Sequence, residues 1–377
     1  MLSRRSRLAA FAAVLAVAIP VAVNVAIPSS SAASSQNNGG QNGNDDGKAR
    51  IFVIMLENHS QSSVIDDVNA PNITALAHTY NMAAAYYGVT HPSMPNYIGA
   101  IAGDNFGIQD DNDQNVVNFD RPNLVDQLES RGLTWGAYME TLPANKTDRF
   151  GPVVGTSTVS LYAKKHNPFV LFDDIVNNAT RMANVKDYSA LATDLNSKHA
   201  PDFVWISPNQ CNDMHGGVFV AVPDHPETPC PYGSAKDDAN DAALKQKGDA
   251  FVQTAVQTIM GSAAWTKNSL IFIVTDENDF TGNTPLGGWE TAAGCCDSPY
   301  VQAADPRINA AWPGGTYGGG LVAAIVVTGH RPQGRVSQTP YNHYSLLATI
   351  ESVWHLGYLG HAGDRAGGVV PMLDLIH

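Results

Sequence analysis

The sequence predicts an α/β protein built on a mostly parallel central sheet, and three observations carry that expectation. Uninterrupted apolar runs stand at 51–56 (I-F-V-I-M-L), 203–206 (F-V-W-I) and 270–274 (L-I-F-I-V). Runs of this kind fit strands buried on both faces. Helical periods lie between and after them, as at Phe251, Val252, Ala255, Val256 and Ile259. Right-handed crossovers between such units make the strands parallel.

The chain has 377 residues and a net charge of −13. That length allows one large domain or two. The acidic balance argues against a nucleic-acid partner, which calls for a basic face. The first 33 residues read as a signal peptide. Arg4, Arg5 and Arg7 precede an Ala/Val-rich stretch at 8–27, and Ser31, Ala32 and Ala33 offer small residues at a cleavage site. Residues 34–48 are Ser, Gln, Asn, Gly and Asp for the most part and read as a disordered linker. The expectation is a secreted chain with no stable membrane anchor after cleavage, and a single catalytic domain over 49–377. The four cysteines, Cys211, Cys230, Cys295 and Cys296, form an even set that suits disulfides in an exported protein. Their spacing matches no zinc motif. Cys211 and Cys230 would close a Pro-rich loop, and the vicinal pair bonds to itself or across.

In chain order, the first strand ends in Glu57, Asn58, His59 and Ser60. Ligands of parallel sheets bind just beyond such strand ends. Pro71 opens a short helix marked by Ile73, Leu76, Ala77 and Tyr80. The stretch 86–103 reads as a loop broken by Pro92 and Pro95, then a small-residue helix over 96–102, with Ser93 at or just before its start. The N–H groups and dipole of a helix start favour an anion. Residues 104–120 are polar and acidic without periodicity and read as a loop. Residues 122–131 read as a helix stopped by Gly132, and 134–139 as a strand. Lys164, Lys165 and His166 are the densest positive cluster after the leader, a candidate phosphate contact. Beyond the strand at 203–207 come Asp213 and His215. Beyond the strand at 270–274 come Asp276 and Glu277. A further apolar strand is expected at 321–327. Leu346, Leu347, Ile350, Val353 and Trp354 mark a last helix with Asn342 as N-cap and His343 in its first turn.

Parallel strands bring Glu57, Asp213, Asp276 and Glu277 to one edge of the sheet. Converging carboxylates repel one another unless a cation lies between them. With Ser93 at a helix start and His215 and His343 nearby, the pattern points to a metal-dependent hydrolase. Competing signatures are absent: the chain has no G-x-S-x-G elbow, no P-loop, no H-E-x-x-H, and no G-x-G-x-x-G after the first strand.

Six motifs carry a resemblance: M-L-E-N-H-S, T-H-P-S-M-P-N-Y, Y-A-K-K-H-N-P-F, N-D-M-H-G, V-T-D-E-N-D and Y-N-H-Y-S-L-L-A-T-I-E, in this order from about residue 50 to 356. The chain resembles the phosphoesterase family of acid phosphatases and phospholipases C within the alkaline-phosphatase superfamily, and within it the secreted actinobacterial acid phosphatases of the phosphatidylinositol-3-phosphatase type. The resemblance implies an alkaline-phosphatase-like three-layer α/β/α sandwich. It implies Ser93 as nucleophile, passing through a phosphoserine, and Glu57, Asn58, Asp276, Glu277 and Asp213 as metal ligands. It places His215 and His343 in the catalytic group, as ligands or as acids for the leaving alcohol. Lys165, His166, Asn96 and His91 are assigned to the substrate phosphate. The family's E-N-R-S continues here as E-N-H-S, so His59 replaces an Arg. One or two divalent ions are implied. The oxygen-rich set suits Ca, Mg or Mn, and the Asp/His set suits Zn. The expected partner is a phosphate ester, either a small molecule or a phosphoinositide head group. A phosphodiesterase or phospholipase C of the same family is the alternative reading. A non-catalytic secreted metal-binding protein is a further one, against which Ser93 speaks.

Overall fold

A computed structural model of the chain describes residues 47–233, 238–279, 293–299 and 318–377. The leader and nearly all of the linker expected from the sequence lie outside the described residues. The first apolar run forms β1 (Ile51–Leu56), completely buried. Its side chains alternate between two cores, as the pleat requires. Ile51, Val53 and Met55 belong to one core, while Phe52, Ile54 and Leu56 belong to the other. This is why the run tolerates no polar position.

After β1 the chain forms α1 (Gln61–Val64), α2 (Pro71–Thr79), β2 (Asn81–Ala83), β3 (Tyr86–Tyr87), α3 (Ser93–Ala102) and α4 (Leu124–Ser130). Pro71 opens α2 as expected, and Asn123 with Asp126 closes a capping box on α4. Then come β4 (Trp135–Met139), a hairpin of β5 (Phe150–Val154) and β6 (Ser157–Ala163), α5 (Asp173–Val176), α6 (Ala179–Met182), β7 (Val185–Asp187), α7 (Leu191–Leu195) and β8 (Phe203–Ser207). The remainder holds α8 (Ala239–Met260), β9 (Leu270–Thr275), β10 (Ala324–Thr328), β11 (Val336–Ser337), β12 (Tyr341–Asn342) and α9 (His343–Val353).

The main sheet among the described residues has eight strands in the order β11-β2-β10-β9-β1-β8-β4-β7. Only β10 runs against the rest, paired antiparallel to both β9 and β2. Helices α3, α4 and α9 cover one face, through Ile98, Leu128 and Leu347, and α2, α7 and α8 cover the other, through Ile73, Leu195 and Val252. The result is the three-layer α/β/α sandwich. The strand expected at 321–327 begins later, because Leu321 and Val322 form bridges to Tyr87 and Ser60 instead. Just before it the chain crosses the 88–90 loop. Gly88 N–H donates to Gly320 O, and Gly319 N–H donates to Gly88 O, both at 2.9 Å. A Cβ on Gly88 would lie 2.8 Å from Gly319 Cα, so the crossing needs glycine on both strands of chain. The crossing anchors the loop that leads into α3.

The cysteines pair as Cys211–Cys230 and as the vicinal Cys295–Cys296. No described helix is long and apolar enough to cross a membrane.

Candidate active site

Because β1, β8 and β9 are parallel and in register, their following residues meet at one edge of the sheet. Glu57 and Asp276 are fully buried there, as is Asp213 after a short turn, and Glu57 N–H donates to Asp213 O at 2.7 Å. Asn58 takes a left-handed backbone (φ 46°), which turns its N–H onto Asp276 Oδ1 at 3.0 Å. Asp276 Oδ1 also accepts from Glu277 N–H at 2.7 Å.

Ser93 is the first residue of α3 and is buried. Its hydroxyl donates to Glu57 Oε2 at 3.0 Å and lies 3.4 Å from Glu277 Oε1. The expected nucleophile therefore stands at a helix start, against the acids of two different strands.

His166 reaches the same place from the turn after β6. Its Nε2 lies 3.2 Å from Glu57 Oε1 and its Nδ1 3.3 Å from Asp213 Oδ2, and its ring stacks on Tyr97 at 5.3 Å. Lys165 donates to Asp111 Oδ2 at 2.7 Å, and its Nζ lies 3.5 Å from His215 Nε2. His215 Nδ1–H donates to Gly216 O at 2.8 Å, so Nε2 is left as the acceptor facing Lys165. Burial, with Lys165 adding, pushes the His215 pKa down to about 3. This imidazole is neutral and is not a ready proton donor.

Three of the expected residues take other positions. His343 sits behind the site: its Nε2–H donates to Asp276 O at 2.6 Å, and its Nδ1 lies 3.0 Å from the Tyr86 hydroxyl. Both ring nitrogens are used, and burial lowers its pKa to about 4. Asn96 spends its amide on the loop before α3. It accepts from the N–H groups of Val89 and Thr90, and donates to Thr90 O at 2.7 Å and Pro92 O at 3.2 Å, with Glu277 Oε2 at 3.4 Å. His91 has Nδ1 2.8 Å from Glu277 Oε2 and Nε2 2.9 Å from Asn278 Oδ1. Both His91 and Asn96 thus hold Glu277 and the Ser93 loop in place. His59 turns away from the site, with Nδ1 on Glu57 O at 2.9 Å and Nε2 on Asp241 Oδ1 at 3.0 Å.

Whether a cation fits can be tested on the buried polar atoms. Glu57 Oε1, Asn58 Oδ1, Asp213 Oδ2, Asp276 Oδ2 and His166 Nε2 are all buried and make no hydrogen bond, although His166 lies 3.2 Å from Glu57 Oε1 and 3.3 Å from Asp213 Oδ2. A buried polar atom left without a hydrogen bond costs about 1–3 kcal/mol, a cost that a cation among these atoms would remove. Burial, with Asp276 adding, raises the pKa of Glu57 well above the usual range, and that of Asp213 likewise. Burial and then Glu277 push Asp276 up to about 8. Donor atoms of Glu57, His166 and His215 also lie within 4.8 Å of one another. The residues fit a divalent cation, with oxygen donors from beyond three strand ends and an imidazole beside them.

Sequence reasoning missed Asp111. It lies in the acidic 104–120 loop, yet its Oδ1 accepts from Met94 N–H at 2.9 Å while Oδ2 holds Lys165. No local pattern separates it from its neighbours.

Curated proteins of similar sequence are named as phosphatases. A "Probable acid phosphatase" of Kluyveromyces lactis is 27% identical over 84% of this chain and 60% of its own length. An "Acid phosphatase" of Aspergillus fumigatus is 26% identical over 82% and 56%. A "Phosphatidylinositol-3-phosphatase" of Mycobacterium tuberculosis is 27% identical over 83% and 79%. The chain thus spans about three fifths of the two fungal relatives. Among solved structures, the lipoteichoic acid synthase of Listeria monocytogenes shares the fold with a TM-score of 0.50 and 10% identity, over 84% of this chain and 75% of its own. The model of the Phosphoesterase family matches residues 65–225 and 231–357. The chain belongs to the Phosphoesterase family.

Proposed function

We propose that the chain is a secreted, metal-dependent phosphomonoesterase of the acid phosphatase type, with Ser93 as nucleophile. The observation that carries this reading is the place of the Ser93 hydroxyl. It sits at the start of α3 on Glu57 Oε2, beside buried donor atoms that make no hydrogen bond. The relatives named as acid phosphatases and as a phosphatidylinositol-3-phosphatase support the same class of substrate. A phosphoinositide head group and small phosphate esters are the candidate substrates.

Glu57, Asn58, Asp276 and Asp213 would hold a divalent cation, with Glu277 and His166 closing its sides. When bound, the cation supplies charge that favours the Ser93 alkoxide and offsets the negative phosphate. Glu57 Oε2 already accepts the Ser93 hydrogen bond and so lies on the proton's path as Oγ closes on phosphorus. The P–O bond to the alcohol breaks and a phosphoserine forms on Ser93, which water then hydrolyses. Lys165 carries the positive charge opposite the phosphate oxygens. Burial works against that charge, but Asp111 and Glu57 more than offset it, and its pKa is raised. His215 Nε2 fixes the ammonium from the other side. His91 and Asn96 keep the loop and Glu277 in register, and His343 fixes the Asp276 carbonyl.

The test compares p-nitrophenyl phosphate with bis-p-nitrophenyl phosphate and phosphatidylcholine, with and without EDTA, in the wild type and Ser93→Ala. The expected result is monoester turnover that EDTA removes and that Ser93→Ala lowers by at least about a thousandfold. Wild-type turnover in Ser93→Ala would exclude the serine mechanism, and a preference for either diester would move the chain to the phosphodiesterase branch.

A further inference from the structure

The loop closed by Cys211–Cys230 leaves His215 by a route the proposed chemistry does not use. Tyr232 packs its ring 5.2 Å from that of His215, and Phe219 packs edge-on to Tyr232 at 6.1 Å. These rings face outward: Phe219 is 67% exposed, Val220 49% and Tyr232 51%. His215 itself lies 5.4 Å from His166, so an unbroken row of rings runs from the buried acids to the surface.

The exposure is not that of a loose loop. The disulfide joins its ends, and Val218 pairs antiparallel with Cys230. Cys230 N–H donates to Val218 O at 2.8 Å, and Gly217 N–H donates to Cys230 O at 2.9 Å. Val218 and Val222 are buried on either side of Phe219 and Val220. Gly217 has φ +100°, and a Cβ there would lie 2.7 Å from the Tyr232 ring. The lack of a Cβ at Gly217 thus leaves room for the hydroxyl end of the Tyr232 ring. A folded, pinned loop that holds three large apolar side chains in water calls for an occupant.

We propose that Phe219, Val220 and Tyr232 form a leaving-group shelf that binds the aromatic ring of a soluble aryl phosphate ester while its phosphate lies at Ser93 and Lys165. The inference rests on the phosphomonoesterase reading of that site. Aromatic side chains prefer offset or edge-on ring partners, and the Phe219–Tyr232 corner offers both a face and an edge. Tyr232, at the inner end of the shelf, packs on His215, whose Nε2 lies 3.5 Å from Lys165 Nζ, so the shelf begins beside the group that meets the phosphate. A lipid surface fits less well. The shelf is three side chains wide, its own loop carries Asp224 and Glu227, and the chain has a net charge of −13, which an anionic membrane would repel.

The test measures kcat/KM for 1-naphthyl phosphate and for glycerol 2-phosphate in the wild type, Phe219→Ser, Tyr232→Ser, and the conservative Phe219→Leu and Tyr232→Phe. The serine variants are expected to lose about tenfold on the naphthyl ester and less than about twofold on glycerol phosphate, with the conservative variants near wild type. Equal losses on both esters, or none, overturn the shelf. Binding of naphthylmethylphosphonate against methylphosphonate, by calorimetry on the metal-loaded protein, separates this from the catalytic reading. If the wild type turns over neither ester, the phosphomonoesterase reading fails, while a tenfold preference for the naphthyl ligand that Tyr232→Ser removes still supports the shelf. No such preference overturns it. Cosedimentation with phosphatidylcholine vesicles that Phe219→Ser abolishes would also overturn it, in favour of a membrane contact.

Discussion

The Ser93 hydroxyl donates to Glu57 Oε2 at 3.0 Å, although thirty-six positions separate the two and both are buried. The contact joins the start of α3 to the end of β1, and it places an alcohol where Glu57, Asp213 and Asp276 crowd together. Their raised pKa values give the metal-free protein a signed pH dependence. An acid whose folded pKa lies above its unfolded value stabilises the fold fully below the unfolded pKa, and that stability is lost as pH rises through the folded one. For Asp276 the window runs from its ordinary value of 3.8 to about 8. In EDTA, these groups should therefore make the protein less stable on going from pH 5 to pH 8. A divalent ion needs the ionised acids, so the rise in Tm on adding Mg, Mn, Ca or Zn should grow across the same range. Thermal melts at pH 5 and 8, with EDTA and with each ion, check this. A Tm at pH 8 indifferent to every ion would count against the metal site.

His343 bridges Tyr86 and the Asp276 carbonyl with both ring nitrogens, so neither nitrogen is left free for a leaving group. His343→Phe removes both contacts and leaves a buried carbonyl and hydroxyl bare, which costs about 2–3 kcal/mol. The expected outcome is a Tm lower by several degrees and kcat lower by about tenfold. The limbs of the pH–rate profile above pH 5 should stay where they are, because burial already holds this imidazole at about 4. A lost limb would make His343 an acid–base group after all.

Asp111 holds Lys165 with one carboxylate oxygen and the Met94 N–H with the other. Asp111→Asn keeps an acceptor for the helix start but removes the charge that pairs with the ammonium. KM for a monoester should rise about fivefold while kcat stays within about twofold. Lys165→Met should raise KM further, and the double variant should fall short of the sum, since the two act on one contact. Additive effects would mean that Asp111 serves only the helix.

What the sequence makes legible here follows from local rules. The apolar runs at 51–56 and 270–274 announce buried strands because both faces of the sheet are covered, so no polar position interrupts them. Glu57 and Asp276 could be placed at one edge because right-handed crossovers fix the direction of their strands. Ser93 could be placed at a helix start from Pro92, Pro95 and the small residues beyond. Asp111 and the turned-back His343 were not legible, since each depends on contacts between distant segments: Lys165 lies 54 residues from Asp111, and Tyr86 lies 257 residues from His343. The same limit applies to Asn96. Its motif marks it as part of the site, but only the folded loop shows its amide consumed by Thr90 and Pro92. The reversed β10 was equally hidden, because an apolar strand carries no mark of its direction.

Glu351 gives a prediction independent of the active site. It lies fully buried on α9, with Oε1 accepting from Leu359 N–H at 2.8 Å and the Arg365 charge acting on the carboxyl from nearby. Burial pushes its pKa up to about 8, and the Gln127 side chain is in hydrogen-bonding contact with it. Gln127 Oε1 is itself buried without a partner. Glu351→Gln keeps an acceptor for Leu359 and leaves no charge to bury. Below about pH 4.5 the carboxyl is protonated in both folded and unfolded chains, and the two proteins should be about equally stable. As pH rises towards 8 the native carboxyl loses its advantage and the amide does not, so Glu351→Gln should become the more stable by about 1 kcal/mol. Urea unfolding at pH 5 and pH 8 with metal present measures the difference. A Glu351→Gln protein less stable than wild type at pH 8 would show that Gln127 and the Arg365 charge outweigh the cost of burying the carboxylate.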